Sequence, residues 1–259
     1  MKLLIKVIFM IIFAFIFMLY LSFALTVKYL GHSCAIMEIG TNKILIDPYS
    51  FEISYPYLRS MNIKEINLVI STHEHFDHFN KEIYDFCLKN KIVYLVGTKN
   101  EGKDWNYINY ESRGLKVYSL GVYHDKKQGK ERGLNSVVII EANFSGKKYK
   151  IVHLGDLGHM LNDSQLNKIV NSDVLFIPVG GFFTISSKES VELIKKAKPK
   201  IAFPIHYKTV YTQDFPIDDI KVFLDLAKKE LRDYEIVKKT DKLIIDEIKG
   251  SYIVNFELN

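Results

Sequence analysis

The sequence predicts one α/β domain behind an apolar N-terminal segment. Short strand-like runs alternate with helical ones from residue 26 onward, and no Gly/Pro/Ser-rich linker divides them. Apolar residues make up 48% of the 259, ample material for a core. Length alone would allow one large domain or two small ones, so the missing linker is what favours residues 26–259 as a unit.

The first element is the apolar run 7–25, which holds no charged residue. As a helix it would be about 28 Å long, close to the ~30 Å hydrocarbon core of a bilayer. It has no polar face to show water, which argues against a core helix. Lys2 and Lys6 precede it and few basic residues follow at once. The positive-inside rule then places the N-terminus in the cytoplasm and the remaining chain outside. Ser22-Phe23-Ala24 resembles a small-x-small cleavage site, so a cleaved signal peptide competes with a retained anchor. The run is longer than a typical signal core, which favours the anchor. Under either reading residues 1–25 are a leader, and the domain is tethered at the cell membrane or secreted.

Beyond the leader, apolar and partly alternating stretches at 27–29, 34–39 and 43–46 read as strands, with Gly40-Thr41-Asn42 as a turn. Residues 66–71 read as a buried strand. Asn80 can cap a helix carrying Ile83, Phe86 and Cys87 on one face. Further strands are predicted at 92–96, 115–120, 136–141, 149–153, 174–179 and 201–205. Ser186-Ser187-Lys188-Glu189 fits a capping box before a helix that ends near Ala197. Pro216 is expected to start another helix that buries Ile220, Phe223, Leu224 and Ala227.

Charge excludes one class of partner. The formal net charge is +5, but without Lys2 and Lys6 the balance is 33 basic against 30 acidic residues. Nucleic-acid binding usually shows a concentrated basic face, and none is visible. Lys126-Lys127 and Lys195-Lys196 read as solvated surface. Cys34 and Cys87 are too few and too far apart for a disulfide scaffold or a cysteine zinc site, and both read as core.

The strongest chemical signal directly follows the strand at 66–71. His73, His75, Asp77 and His78 lie within six positions, and imidazole nitrogen and carboxylate oxygen are good ligands for zinc and similar divalent ions. A satisfied polar loop is the bland alternative, but clustered imidazoles rarely serve packing. His124, Asp156 and His206 each fall at or just beyond the carboxyl end of a predicted strand. Singly, such residues are more often structural; as an ordered set they point to one shared edge.

The segment HEHFDH at 73–78 resembles the His-x-His-x-Asp-His signature of the metallo-β-lactamase superfamily. YLGHS, ILIDP, HLGDLGH, PVGGF and PIHYKT, in that order, resemble its ascorbate-6-phosphate-lactonase-like and N-acyl-phosphatidylethanolamine phospholipase-D-like branch. The likeness covers residue 27 to the C-terminus. It implies an αββα sandwich with its site on one edge. By position it also implies that His73, His75 and His124 hold one metal, that Asp77, His78 and His206 hold a second, and that Asp156 bridges them. Diiron oxygen-reducing relatives carry glutamate where this chain has His75, so the resemblance favours hydrolysis.

The cofactor expected is a pair of divalent ions, zinc first, with manganese or iron as alternatives. Such a pair, about 3.5–4 Å apart, makes a bridging water available as hydroxide near neutral pH. Asp77 would bind metal and orient that nucleophile. Asp47 reads either as a hydrogen-bond acceptor that fixes a ligand imidazole or as a turn residue before proline. His32 and His159 are candidate proton donors or substrate contacts, each with a structural hydrogen bond as the alternative. Tyr207 is a weaker candidate. Gly180-Gly181 would let backbone pass close to the site, with Phe182 and Phe183 lining the pocket or the core.

The function expected is hydrolysis of an ester, lactone or phosphodiester in a small-molecule or lipid-like substrate. The alternative is a non-catalytic metal-binding component of a membrane or uptake system. The presence of all seven ligands weighs against it. A nuclease would want an RNA-gripping arm and a stronger basic surface.

Overall fold

Strand residues alternate between two apolar surfaces, and that alternation builds the fold. The computed structural model describes residues 6, 8–10, 25–49, 63–99, 103–144, 146–210, 212–239, 242–245 and 249–256. Strands β1 (Thr26–Gly31), β2 (Cys34–Ile39) and β3 (Asn42–Ile46) form an antiparallel meander, and β4 (Leu68–Ser71) and β5 (Val93–Val96) add in parallel. A short β15 (Leu243–Ile244) pairs with the free edge of β1. In this first sheet Val27, Ala35, Met37, Ile44, Ile46, Leu68 and Ile70 face the main core. The intervening Cys34, Ile36, Leu45 and Val69 face the other way, into a second cluster closed by Ile83 and Cys87 of helix α1 (Lys81–Asn90). Both cysteines are buried and unbonded, as expected of core residues.

The second sheet runs β8 (Asn109–Ser112), β9 (Leu115–Tyr123), β10 (Leu134–Phe144), β11 (Lys147–His153), β12 (Val174–Pro178), β13 (Ile201–Ile205), β16 (Ser251–Phe256), β14 (Tyr234–Lys239). It is antiparallel from β8 to β11 and parallel from β11 to β14. Its inner face packs on the first sheet. Helices α3 (Ser187–Ala197) and α4 (Ile220–Glu230) bury Val191, Ile194, Ala197, Phe223 and Ala227 on its outer side. The result is the expected αββα order. A smaller α2 (Asp163–Ile169) and a two-stranded ribbon, β6 (Thr98–Lys99) with β7 (Asp104–Trp105), complete the described elements.

Two predicted helix starts hold. Asn80 accepts from the Ile83 N–H at 3.1 Å, and Ser186 with Glu189 forms a full capping box. The third does not: α4 begins at Ile220 with Asp219 as its cap, not at Pro216. The intervening residues are held extended, because the Asp218 N–H donates to the Gly180 carbonyl and the Lys208 N–H to the Asp218 carbonyl. Strands β8, β14 and β16 were not predicted. Two of them lie at sheet edges, where polar and charged residues dilute the apolar pattern.

Of the apolar run 7–25, only residues 8–10 and 25 are described, so the expected membrane helix lies outside the described residues. Among those residues no helix is long and apolar enough to cross a membrane. Leu25 already belongs to the domain: it is fully buried in the main core, and its carbonyl accepts from the Ile245 N–H at 2.8 Å.

Phe176 of β12 links core and site, with its ring 5.1 Å from both the Phe203 and the His153 rings. Phe176→Ala is expected to cost about 3–5 kcal/mol. Urea denaturation of the full chain should show a lower midpoint at an unchanged slope. An unshifted midpoint would contradict this packing.

Candidate metal centre

Seven candidate ligands arrive from four strand ends. The loop after β4 carries His73, His75, Asp77 and His78; His124 follows β9, Asp156 lies just past β11, and His206 follows β13. All are buried except His75, which is half-buried. Left-handed backbone holds His206 at φ 53°, Asp47 at φ 46° and His32 at φ 50°. For residues with a Cβ this costs about 1–2 kcal/mol each. Hydrogen bonds offset the strain: the His206 N–H donates to the His32 carbonyl at 2.8 Å, and the Asp47 N–H to the Ile70 carbonyl at 2.8 Å. Two glycines permit the close approach. A Cβ on Gly158 would strike the His124 backbone, and one on Gly180 the His206 carbonyl.

The Asp156 carboxylate lies at the centre. Its oxygens are 2.9 Å from His124 Nε2, 3.0 Å from His78 Nε2, 3.2 Å from His206 Nε2 and 4.0 Å from His73 Nε2. Asp77 Oδ2 is 3.9 Å from His78 Nε2, 3.8 Å from His206 Nε2 and 3.2 Å from His32 Nε2. Three groups have donor atoms within 4.8 Å of one another: His73, His75 and His124; His73, His78 and Asp156; and His32, Asp77, His78 and His206.

This donor set fits divalent cations. The Nε2 atoms of His73, His78 and His206 and Oδ1 of Asp156 are buried yet make no well-directed hydrogen bond. Orphaned buried nitrogens are costly unless something else takes their lone pairs. The surrounding network prepares those lone pairs. Asp47 accepts from the Thr72 N–H at 2.7 Å, the Thr72 hydroxyl at 3.0 Å and His78 Nδ1 at 2.7 Å. The Thr72 hydroxyl proton is thereby spent, so its oxygen accepts from His73 Nδ1 at 3.0 Å. Both imidazoles are thereby anchored through Nδ1–H and direct Nε2 inward, the atom a cation would take once any proton there is expelled. Asp47 is thus a ligand-orienting residue as well as a turn residue.

Electrostatics follows the same geometry. Burial alone would raise both carboxyls, but His206, His78 and His124 hold Asp156 far below the usual range, and His78 and His32 do so for Asp77. Burial pushes His73 and His75 down, with neighbouring imidazoles adding to the effect. His78 and His124 go up despite burial, because Asp156 faces both and Asp47 and Asp77 also face His78.

The centre opens into a cavity of about 970 Å³ that His75, Asp77, His124 and Asp156 reach from below. Phe76, Phe183 and Phe215 supply apolar wall, and Lys81, Lys103, Lys130 and Arg132 outnumber Glu74 and Glu131 around it. The Arg132 guanidinium lies 5.6 Å from the Phe182 ring centre and 5.4 Å from that of Phe183. Phe182 is therefore an exposed partner of Arg132, while Phe183 lines the cavity.

His32, His159 and Tyr207, singled out in the sequence, do not line the cavity, and the last two are engaged elsewhere. His159 Nε2 accepts from the Tyr123 N–H at 3.1 Å and its Nδ1 donates to the Met160 carbonyl at 2.8 Å, so backbone engages both ring nitrogens. Tyr207 is buried against Tyr29, with ring centres 6.1 Å apart. Conversely, sequence reasoning missed Thr72 and Asp125. The Asp125 carboxylate accepts from the backbone N–H groups of Lys127, Gly129, Glu131 and Arg132, holding the loop that carries Arg132. An aspartate ahead of a run with two glycines was the available signal.

Residues 26–206 match the family described as the beta-lactamase superfamily domain. A UPF0173 metal-dependent hydrolase of Pyrococcus abyssi is 30% identical over 196 residues, covering 71% of this chain and 84% of the relative. A UPF0173 protein of Pyrococcus furiosus is 30% identical over 218 residues, covering 79% of this chain and 95% of the relative. A solved structure from Thermotoga maritima, described as a candidate Zn-dependent hydrolase of the metallo-beta-lactamase superfamily, superposes with a TM-score of 0.60 at 25% identity, covering 90% of this chain and 100% of that one. A metallo hydrolase from Ignicoccus hospitalis shares the fold, with a TM-score of 0.57 at 20% identity over 80% of this chain and 91% of that one.

The raised His78 and His124 give a signed test. At about pH 6.5, where an ordinary imidazole is half-protonated, both should be mostly protonated in the metal-free chain. Coordination through Nε2 must expel those protons. Calorimetric titration with Zn²⁺ in buffers of different ionisation enthalpy should show net proton release, fading as pH rises past the raised pKa values. Proton uptake, or no buffer dependence, would contradict the assignment.

Proposed function

The chain belongs to the metallo-β-lactamase superfamily of metal-dependent hydrolases, and from that premise we propose that it hydrolyses an anionic ester-type substrate, a phosphodiester before a lactone or carboxylic ester, with two divalent cations. One observation carries the reading: buried, unsatisfied imidazole nitrogens converge on Asp156 at the base of a cavity whose rim carries more cations than anions. His73, His75 and His124 would hold one cation, Asp77, His78 and His206 the other, with Asp156 shared. Zinc suits the predominance of nitrogen donors. Bound there, the pair would supply Lewis acidity to the scissile centre and to the attacking water.

The chain's own residues set up the rest. Asp47 keeps a proton on His78 Nδ1, so that His78 Nε2 stays available. Asp77 lines the cavity and is held ionised, as a residue that orients a water must be. Arg132, braced by Phe182 and Phe183, and Lys130 offer donors to a phosphoryl or carboxylate oxygen. Phe76, Phe183 and Phe215 would seat an apolar substituent and exclude water. That wall is compatible with an amphiphilic substrate.

We further place the domain outside the cytoplasm. Support comes from the uncharged run 7–25 behind Lys2 and Lys6, acting as an anchor or a cleaved leader. The near balance of charge beyond residue 25 supports a small-molecule or lipid-like substrate over nucleic acid.

Hydrolysis of bis(p-nitrophenyl) phosphate and of neutral p-nitrophenyl acetate, before and after chelation, tests this reading. Phosphodiester turnover should vanish on chelation and return with Zn²⁺. Asp77→Asn should lower kcat by about 100-fold or more. Arg132→Ala should raise KM about tenfold for the phosphodiester alone. A metal-loaded chain that turns over neither substrate would favour the non-catalytic alternative.

A further inference from the structure

We infer that His32 is a protein ligand of the second cation, joining Asp77, His78, His206 and the shared Asp156 from the side away from the cavity. The inference rests on the two-cation reading above and extends it to a residue outside the seven.

Spacing is the first argument. His32 Nε2, His78 Nε2 and His206 Nε2 lie 3.2, 3.9 and 3.8 Å from Asp77 Oδ2. Donors that bind one zinc-like ion at about 2.0–2.2 Å sit about 3–4 Å from one another. The four donor atoms also lie within 4.8 Å of each other.

Access is the second. His32 is 1% exposed and does not line the cavity; of its donor group only Asp77 does. A proton donor to a leaving group would have to face the substrate. A ligand on the enclosed side of the centre would not. The first donor group presents His75 and His124 to the cavity, so leaving-group chemistry has partners there without His32.

Backbone geometry is the third. His32 opens the two-residue link between β1 and β2 in left-handed conformation, a position that favours Gly or Asn. Its carbonyl accepts from the Tyr29 hydroxyl at 2.6 Å and from the His206 N–H at 2.8 Å. The two strained histidines are thus tied together, ring centres 4.3 Å apart, and each fixes the other's approach to Asp77. Left-handed backbone at a residue other than glycine clusters at functional sites.

The test uses the full chain labelled with ¹⁵N-histidine and loaded with ¹¹³Cd²⁺, counting imidazole nitrogens that show cadmium coupling. Of the eight histidines, six should couple: His32, His73, His75, His78, His124 and His206. His32→Asn keeps a residue suited to positive φ, so the variant should still fold, at some cost from the lost hydrogen bond to Asp77. It should nevertheless lose one coupled resonance and bind the second Cd²⁺ at least about tenfold more weakly. Five coupled histidines in the parent, unchanged in His32→Asn, would overturn the inference and leave the two-cation reading standing. Fewer than five would overturn both. Should His32→Asn fail to fold, the parent count alone decides.

Discussion

The rest of the centre depends on one buried carboxylate. Asp156 is enclosed by the imidazoles of His73, His78, His124 and His206, with almost no exposure to water. A carboxylate taken out of water costs several kcal/mol unless opposite charge or good hydrogen bonds replace its hydration. Asp77 adds a second such charge nearby. Protons on His78 and His124 meet this need in part; divalent cations would meet it in full while accepting the orphaned lone pairs. Features that look incidental then acquire a cause. Strained backbone at His32, Asp47 and His206 and glycines at 158 and 180 all serve to bring donors to that carboxylate.

The sandwich makes this convergence possible. Parallel strands from β11 to β13 end side by side, so Asp156 and His206 emerge as neighbours. β4, in the facing sheet, delivers the His73–His78 loop to the same edge. Period-two alternation commits the strand interiors to the core, which leaves the strand ends to carry polar residues at little cost to packing. Stability and chemistry are thus separated along each strand. Phe176 and His153 mark the boundary, where an apolar ring meets the first polar layer.

Much of this was legible in the sequence, for identifiable reasons. The cluster at 73–78 stands out because its ligands are adjacent in the chain. His124, Asp156 and His206 could be found because each follows an apolar strand that the pattern reveals. The αββα order came through resemblance, and the layered clusters bear it out. What stayed hidden depends on contacts distant in sequence. Pro216 could not announce that Asp218 is drawn to Gly180. The aspartate and two glycines of residues 125–133 signal a turn, but not that its backbone wraps Asp125 and presents Arg132. His159 and Tyr207 carry the right chemistry at plausible positions, and only the fold shows that backbone occupies the one and core the other. For His32 the residue was visible and its role was not, since its distance to Asp77 spans 45 positions of sequence.

The most direct test is anomalous diffraction at the zinc edge from crystals of the Zn²⁺-loaded chain. The account expects two peaks flanking Asp156, one among His73, His75 and His124 and the other beside Asp77, His78 and His206. No peak at Asp156, or zinc held elsewhere with these imidazoles paired to one another, would contradict it.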